Sequence, residues 1–289
     1  MSELLQQIFN VLLVGCIYCL IAFGLALVYG VMGIPNFAQG NLYMLGAYMA
    51  FLLGLLITKN YWLILLGTII IMGLMGLVVE RLCFRPVRDA PHVNSFVVAL
   101  GILMVIEGAI ILFFGADYKQ VKPPWKGILE FGSFSISIQR LLVILGTILI
   151  MLILQYFINK TKTGKSLDAM SQNRDLALMV GINVNRTSLL AFMISTAVAG
   201  AAGVLMAPVT YVYPEMGMTP LLIAFAAIIF GGMGSLPGAV LGAFIMAGAQ
   251  VFSTHYFSAH VSEIGIFGIM IAILLLKPEG IMGEGELSV

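Results

Sequence analysis

Apolar runs long enough to cross a bilayer recur along almost the whole chain, at 4–29, 37–57, 61–79, 95–115, 141–158, 189–207, 221–252 and 262–276. A helix needs about 20 apolar residues to cross a hydrocarbon core roughly 30 Å thick, and in lipid only a helix satisfies the backbone of a single segment. The chain therefore reads as an all-α polytopic membrane protein with about eight transmembrane helices, surrounded by membrane lipid. Charged residues make up 9% of its 289 residues, against about 25% in globular domains. The longest polar stretches run to about 30 residues, too short to bury a core of their own. The chain is thus a single transmembrane domain over 1–289. It is not itself an enzyme, and any ATP hydrolysis it uses has to come from a partner.

The run 221–252 exceeds one perpendicular span and carries Gly231, Gly232, Gly234, Pro237 and Gly238 at its middle. It is either one tilted, broken helix or two short half-spans. Near the other end, Tyr29-Gly30-Val31-Met32-Gly33 with Pro35 echoes Phe230-Gly231-Gly232-Met233-Gly234 with Pro237, so broken helices fall near both ends. The echo is either an internal repeat or a coincidence of a glycine-rich chain. Backbone that leaves the helix inside a membrane is tolerated where protein or a water-filled path covers it, which makes Asn36, Gln39, Gly231, Gly234 and Pro237 candidates for a transport path. Glu107 joins them as the one acidic residue well inside a span. A carboxyl at that depth either faces a functional interior or is a hydrogen-bonded structural group. Ser195, Ala199 and Gly203, and again Gly234, Gly238 and Gly242, have the spacing that lets helices approach closely.

The longest polar run is 159–188. Placing it and the stretch 80–92 inside gathers Arg81, Arg85, Arg88, Lys160, Lys162, Lys165, Arg174 and Arg186 on one side, against Lys59, Lys119, Lys122, Lys126 and Arg140 on the other. The N-terminus then lies outside, and Lys277 draws the C-terminal end inside. Scattered basic residues give no nucleic-acid surface. Within the polar run, 171–182 has helix formers between a polar start and a glycine stop: Asp175 comes early, where the helix dipole favours it, and Gly181 falls at the end. Gly164-Lys165-Ser166 looks like the close of a phosphate loop, but Asn159 stands where that loop needs glycine, so no nucleotide site follows. Cys16 and Cys19 lie inside an apolar helix as small packing residues. No metal or cofactor motif is present.

Five blocks resemble one family, the permease subunits of ABC importers for branched-chain amino acids of the LivH type. They are Tyr29-Gly30-Val31-Met32-Gly33-Ile34-Pro35-Asn36-Phe37-Ala38-Gln39-Gly40 with Leu45-Gly46-Ala47-Tyr48; Glu80-Arg81 with Arg85-Pro86-Val87-Arg88; Asn173-Arg174-Asp175 through Gly181-Ile182-Asn183; Phe230-Gly231-Gly232-Met233-Gly234-Ser235-Leu236-Pro237-Gly238-Ala239; and Lys277-Pro278-Glu279-Gly280. The resemblance implies a multi-pass protein of the bacterial inner membrane. Its partners would be a second, LivM-like permease subunit, two cytoplasmic ATP-binding subunits and a periplasmic substrate-binding protein. It also implies that 159–188 is the cytoplasmic loop contacting the ATPases, with Leu167, Asn173, Arg174, Asp175, Ala177 and Gly181 in the contact. The family pattern there is Glu-Ala-Ala, three residues, Gly; Asp175-Leu176-Ala177 with Gly181 keeps the spacing and changes the first two residues. Related permeases carry urea, amides or other amino acids, and a stand-alone secondary transporter or channel, or a membrane scaffold, would also explain the apolar runs.

Overall fold

The computed structural model describes residues 2–33, 35–58, 60–88, 90–125, 127–131, 134–257, 259–276 and 280–282. Helix α1 (Ser2–Met32) is 31 residues long, about 46 Å, and is the axis of the bundle: 83% of its central apolar stretch is buried. Against it pack α2 (Gln39–Leu56) and α5 (Ile138–Lys160), while α3 (Tyr61–Val79) and α4 (His92–Phe114) lie farther out, against α2. The short α6 (Lys162–Gln172) and α7 (Arg174–Met179) follow, then α8 (Val184–Met206), α9 (Met218–Gly231), α10 (Leu236–Tyr256) and α11 (Ala259–Leu276). Among the described residues seven helices are long and apolar enough to cross a membrane. Exposed leucine, isoleucine and valine cover α3, α4 and α5, as a surface solvated by acyl chains requires.

Two faces of the bundle are distinguished by what they carry. One holds α6 and α7. The other holds a hairpin of β1 (Ile128–Phe131) and β2 (Phe134–Ser137), which the run of apolar segments did not foretell because it lies in the polar connection after α4. On that hairpin face Lys119 and Val212 exchange backbone hydrogen bonds of 2.8 and 2.9 Å, and Tyr118 stacks on Tyr213 with centroids 5.1 Å apart. Burial, with smaller contributions from Tyr118 and Glu215, raises the Tyr213 hydroxyl above its ordinary range and keeps it a neutral donor. Gln7 and His255 side-chain nitrogens approach to 3.0 Å there, so α10 ends where α1 begins.

The run 221–252 resolves into two helices, α9 and α10, joined by a turn at 232–235. The break does not lie at mid-depth. It sits at the α6 face, beside Ser171, because the run is divided unequally: α9 has 14 residues, about 21 Å, and α10 has 21. The two helices then pack back to back. A methyl group on Gly231 would stand 2.0 Å from the Gly238 carbonyl oxygen, one on Gly238 would stand 2.2 Å from that of Gly231, and one on Gly242 would stand 2.1 Å from that of Ala227. Only hydrogen fits at these contacts. Helix α9 starts part-way into the bundle, its Gly217 cap against the Gly40 carbonyl of α2. After α11 the chain returns to the same turn, where the Ile281 and Met282 amides donate to Phe230 and Gly231 at 2.9 Å. Lys277, used in the orientation argument, lies outside the described residues.

Candidate transport path and coupling site

The first break begins at Gly33, with φ +70°, after α1 has run unbroken through Gly30. Chain reversal at 35–38 is held by an Asx turn: Asn36 Oδ1 accepts from the Ala38 amide at 3.1 Å. Asn36 is fully buried and its Nδ2 has no partner among the described residues, so one strong donor is left unsatisfied in the interior. Three residues on, Gln39 opens α2 and clamps α8. Its Nε2 donates to the Ser195 carbonyl at 3.2 Å while the Ser195 hydroxyl donates to its Oε1 at 3.0 Å. Ser195 is the twelfth residue of the 23 in α8, which puts this clamp near the middle of the bundle. Asn41 Nδ2 donates to the Leu103 carbonyl of α4 at 2.8 Å.

Glu107 lies one turn beyond Leu103 on α4, half-buried, and makes no hydrogen bond or ion pair with the described residues. Only 17% of the central stretch of α4 is buried, so this helix is the loosest of the long ones. Phe37 fills the space between the break, α4 and α9, with ring centroids 5.1 Å from both Phe96 and Phe225. Asn36 and Gln39 thus sit at the start of α2, Gln39 against α8, while Glu107 lies on α4 one turn past the Leu103 carbonyl that Asn41 holds. Gly231, Gly234 and Pro237 form a separate group at the α6 face. There the two glycine echoes meet: a methyl on Gly30 would stand 2.6 Å from Ser171 Cβ and 3.7 Å from Gly234 Cα.

The polar run folds as two helices rather than the single one expected over 171–182. Thr161 caps α6 by accepting from the Gly164 amide at 3.0 Å, and Asn173 interrupts the helix to cap α7, accepting from Leu176 at 3.0 Å. Asparagine competes with the backbone for hydrogen bonds, which is why the chain breaks there. Arg174 and Asp175 open α7. Gly181 closes it at φ +84°: its amide donates to Leu178 and that of Ile182 to Ala177, both at 3.0 Å, the paired bonds of a Schellman end. Leu167, Met170 and Ala177 are buried in a cluster with Leu27, Val28 and Val31 of α1, Phe84, and Phe192 of α8. Outward, α7 and its end present Leu176, Leu178, Met179 and Val180, the last two 84% and 77% exposed. This apolar surface was missed in the sequence, where a six-residue helix is too short to show a period; the alternation becomes legible once Ala177 is known to point in.

Beside it, Glu80 begins a π-helical turn (Glu80–Phe84) fully buried, with neither oxygen paired among the described residues. Arg88, just past that turn, donates to Asn185 and, at 3.5 Å, to Ser188, tying the segment after α3 to the start of α8. Among the described residues no cluster of His, Cys, Asp or Glu is suited to a metal.

A multi-pass bundle with a buried polar break, and a short capped helix set at one end of its spans, has the architecture of a membrane transport subunit. Residues 7–274 match the family described as branched-chain amino acid transport system / permease component, and the chain belongs to that family. It is 33% identical to the high-affinity branched-chain amino acid transport system permease protein BraD of Pseudomonas aeruginosa, with 98% of this chain and 97% of that one covered. The permease protein LivH of Escherichia coli K12 is 33% identical over the same shares. The probable LivH of Methanocaldococcus jannaschii is 30% identical, covering 91% of this chain and 88% of the other. In fold, the chain resembles the solved structure titled PsaBC from Streptococcus pneumoniae in complex with Fab, with a TM-score of 0.50, 13% identity and coverage of 93% and 91%.

Proposed function

We propose that this protein is a permease subunit of an ABC importer for branched-chain amino acids in the bacterial inner membrane. It would pair with a second, LivM-like permease subunit, receive leucine, isoleucine or valine from a periplasmic binding protein, and be driven by two cytoplasmic ATPases. The observation that carries this reading is 33% identity, over 98% of the chain, to BraD and LivH proteins named for that transport. The α6 face is then cytoplasmic and the hairpin face, with the N-terminus, periplasmic.

The mechanism proposed is alternating access. Leu176, Met179 and Val180 meet an ATPase subunit, and Leu167, Met170 and Ala177 pass its movement to α1 and α8 as a tilt, since packed side chains shift as a unit where a loose loop would not. Asn173 and Gly181 hold α7 rigid enough to transmit force, with Arg174 and Asp175 in its first turn. Ser171, against Gly30 and Gly234, links the same movement to the turn of Gly231, Gly234 and Pro237. Asn36, Gln39 and Glu107 border the path, the spare amide of Asn36 being suited to a carboxylate.

ATP-dependent uptake of radiolabelled leucine into proteoliposomes, with and without this chain alongside the other four components, tests the proposal. Uptake that requires the chain is expected. A complex that assembles and hydrolyses ATP yet moves urea, an amide or another amino acid instead would overturn the substrate and leave the architecture.

A further inference from the structure

A groove of roughly 510 Å³ opens on the side of the bundle, floored by α1 and walled by α5 and α10. It runs from mid-depth, where Cys16, Thr147 and Phe244 line it, to the α6 face, where Asn159, Asp168 and Leu236 do. From Thr147 to Asn159 along α5 is about 18 Å, close to half of a hydrocarbon core roughly 30 Å thick. The groove is therefore one leaflet long. Thr147 is 3% exposed and its hydroxyl has no partner among the described residues, so the seam between α5 and α1 is left incomplete at that depth. Phe23 of α1, Met151 of α5 and Val240 of α10 make the walls of the groove apolar, which suits an extended acyl chain.

Its mouth is charged in a specific way. Asp168 reaches it from α6, its carboxylate accepting from Gln172 Nε2 at 3.2 Å and from no other group among the described residues, and Asn159 stands beside it. Lys160, Lys162 and Lys165 are exposed on the same end of α5 and α6. We infer that the groove binds one aminophospholipid of the leaflet at the α6 face, with an acyl chain along α1, its phosphate among the lysines and its ammonium on Asp168. Phosphatidylethanolamine has this pair of charges; a phosphatidylglycerol headgroup offers only neutral hydroxyls beside its phosphate and would leave the Asp168 carboxylate without a counter-charge. Because Asp168 belongs to α6 and Leu236 and Pro237 to the first turn of α10, the bound lipid bridges the two elements that meet at Ser171 and Gly234.

Native mass spectrometry of the full-length protein, with the subunits that co-purify, released from nanodiscs of phosphatidylethanolamine or phosphatidylglycerol with matched chains, tests this. One phosphatidylethanolamine per copy is expected to survive activation that strips phosphatidylglycerol. Asp168→Asn should weaken its retention about tenfold, the loss of one charge-assisted hydrogen bond, and Asp168→Lys should reverse the preference. Leu241→Trp, at the exposed groove edge, should lower retention of both lipids with the thermal melt unchanged. Equal retention of both lipids by the wild type, or undiminished retention by Asp168→Asn, would overturn the inference. So would high-yield cross-linking of Leu241→Cys to a second polypeptide, which would make the groove a protein seam.

Discussion

Gly181 holds α7 closed at φ +84°, where a side chain costs about 1–2 kcal/mol for most residues and least for asparagine. A six-residue helix has no reserve against that cost, since isolated helices of this length do not persist. Gly181→Val should therefore uncouple substrate from ATPase stimulation in the reconstituted complex, and Gly181→Asn should retain most of it. Equal stimulation in both variants would show that the end of α7 does not carry the coupling. Gln39 poses a different question. Interhelical hydrogen bonds in membranes are worth about 0.6 kcal/mol on average and about 1.7 at most, so Gln39→Leu should lower the melting temperature only slightly. A much larger fall in leucine uptake per folded complex is expected if the Gln39 to Ser195 clamp borders the path. Uptake that merely tracks the folded amount would remove it from the path. Glu107→Gln is read in the same way, with unchanged uptake excluding that carboxyl.

Among elements, α7 and the α9 to α10 hairpin make opposite demands. The outer surface of α7 is apolar and open, so Met179→Asp with Val180→Asp should leave insertion intact and abolish co-purification of the ATPase subunit. The hairpin has no spare space. Gly238→Val places atoms inside the van der Waals radius of the Gly231 carbonyl, and overpacking costs of about 1–3 kcal/mol should appear as loss of assembled complex in detergent. Both elements were half visible in the sequence. Gly181 announced a helix end because glycine at that spacing has one common use. The turn at 232–235 announced a break without its depth, because the depth depends on where α9 starts, and the contact of Gly217 with Gly40 sets that across 177 residues of chain.

For the whole molecule, the proposed orientation predicts one-sided labelling. Met179→Cys should react with an impermeant maleimide only from the cytoplasm, and Trp125→Cys only from the periplasm; labelling of Met179→Cys from outside would invert the topology. Cys16 and Cys19 are buried and should stay silent in that experiment, whereas Cys83 is partly exposed and is replaced by serine beforehand. What the amino-acid sequence determined by itself was the membrane class, most of the spans and the polar loop, because lipid forces every backbone polar group to be satisfied within its own segment. Helix length and apolar character are then local properties, and local properties can be counted along a chain. What only the tertiary structure decided was which polar groups meet. Gln39 and Ser195 are 156 residues apart, Gly30 touches Ser171 and Gly234, and Glu107 stands one turn from the carbonyl that Asn41 holds. Those contacts follow from how the helices cross, which small residues such as Gly46 and Gly200 set by close approach, and no period in the sequence records which helix is the partner.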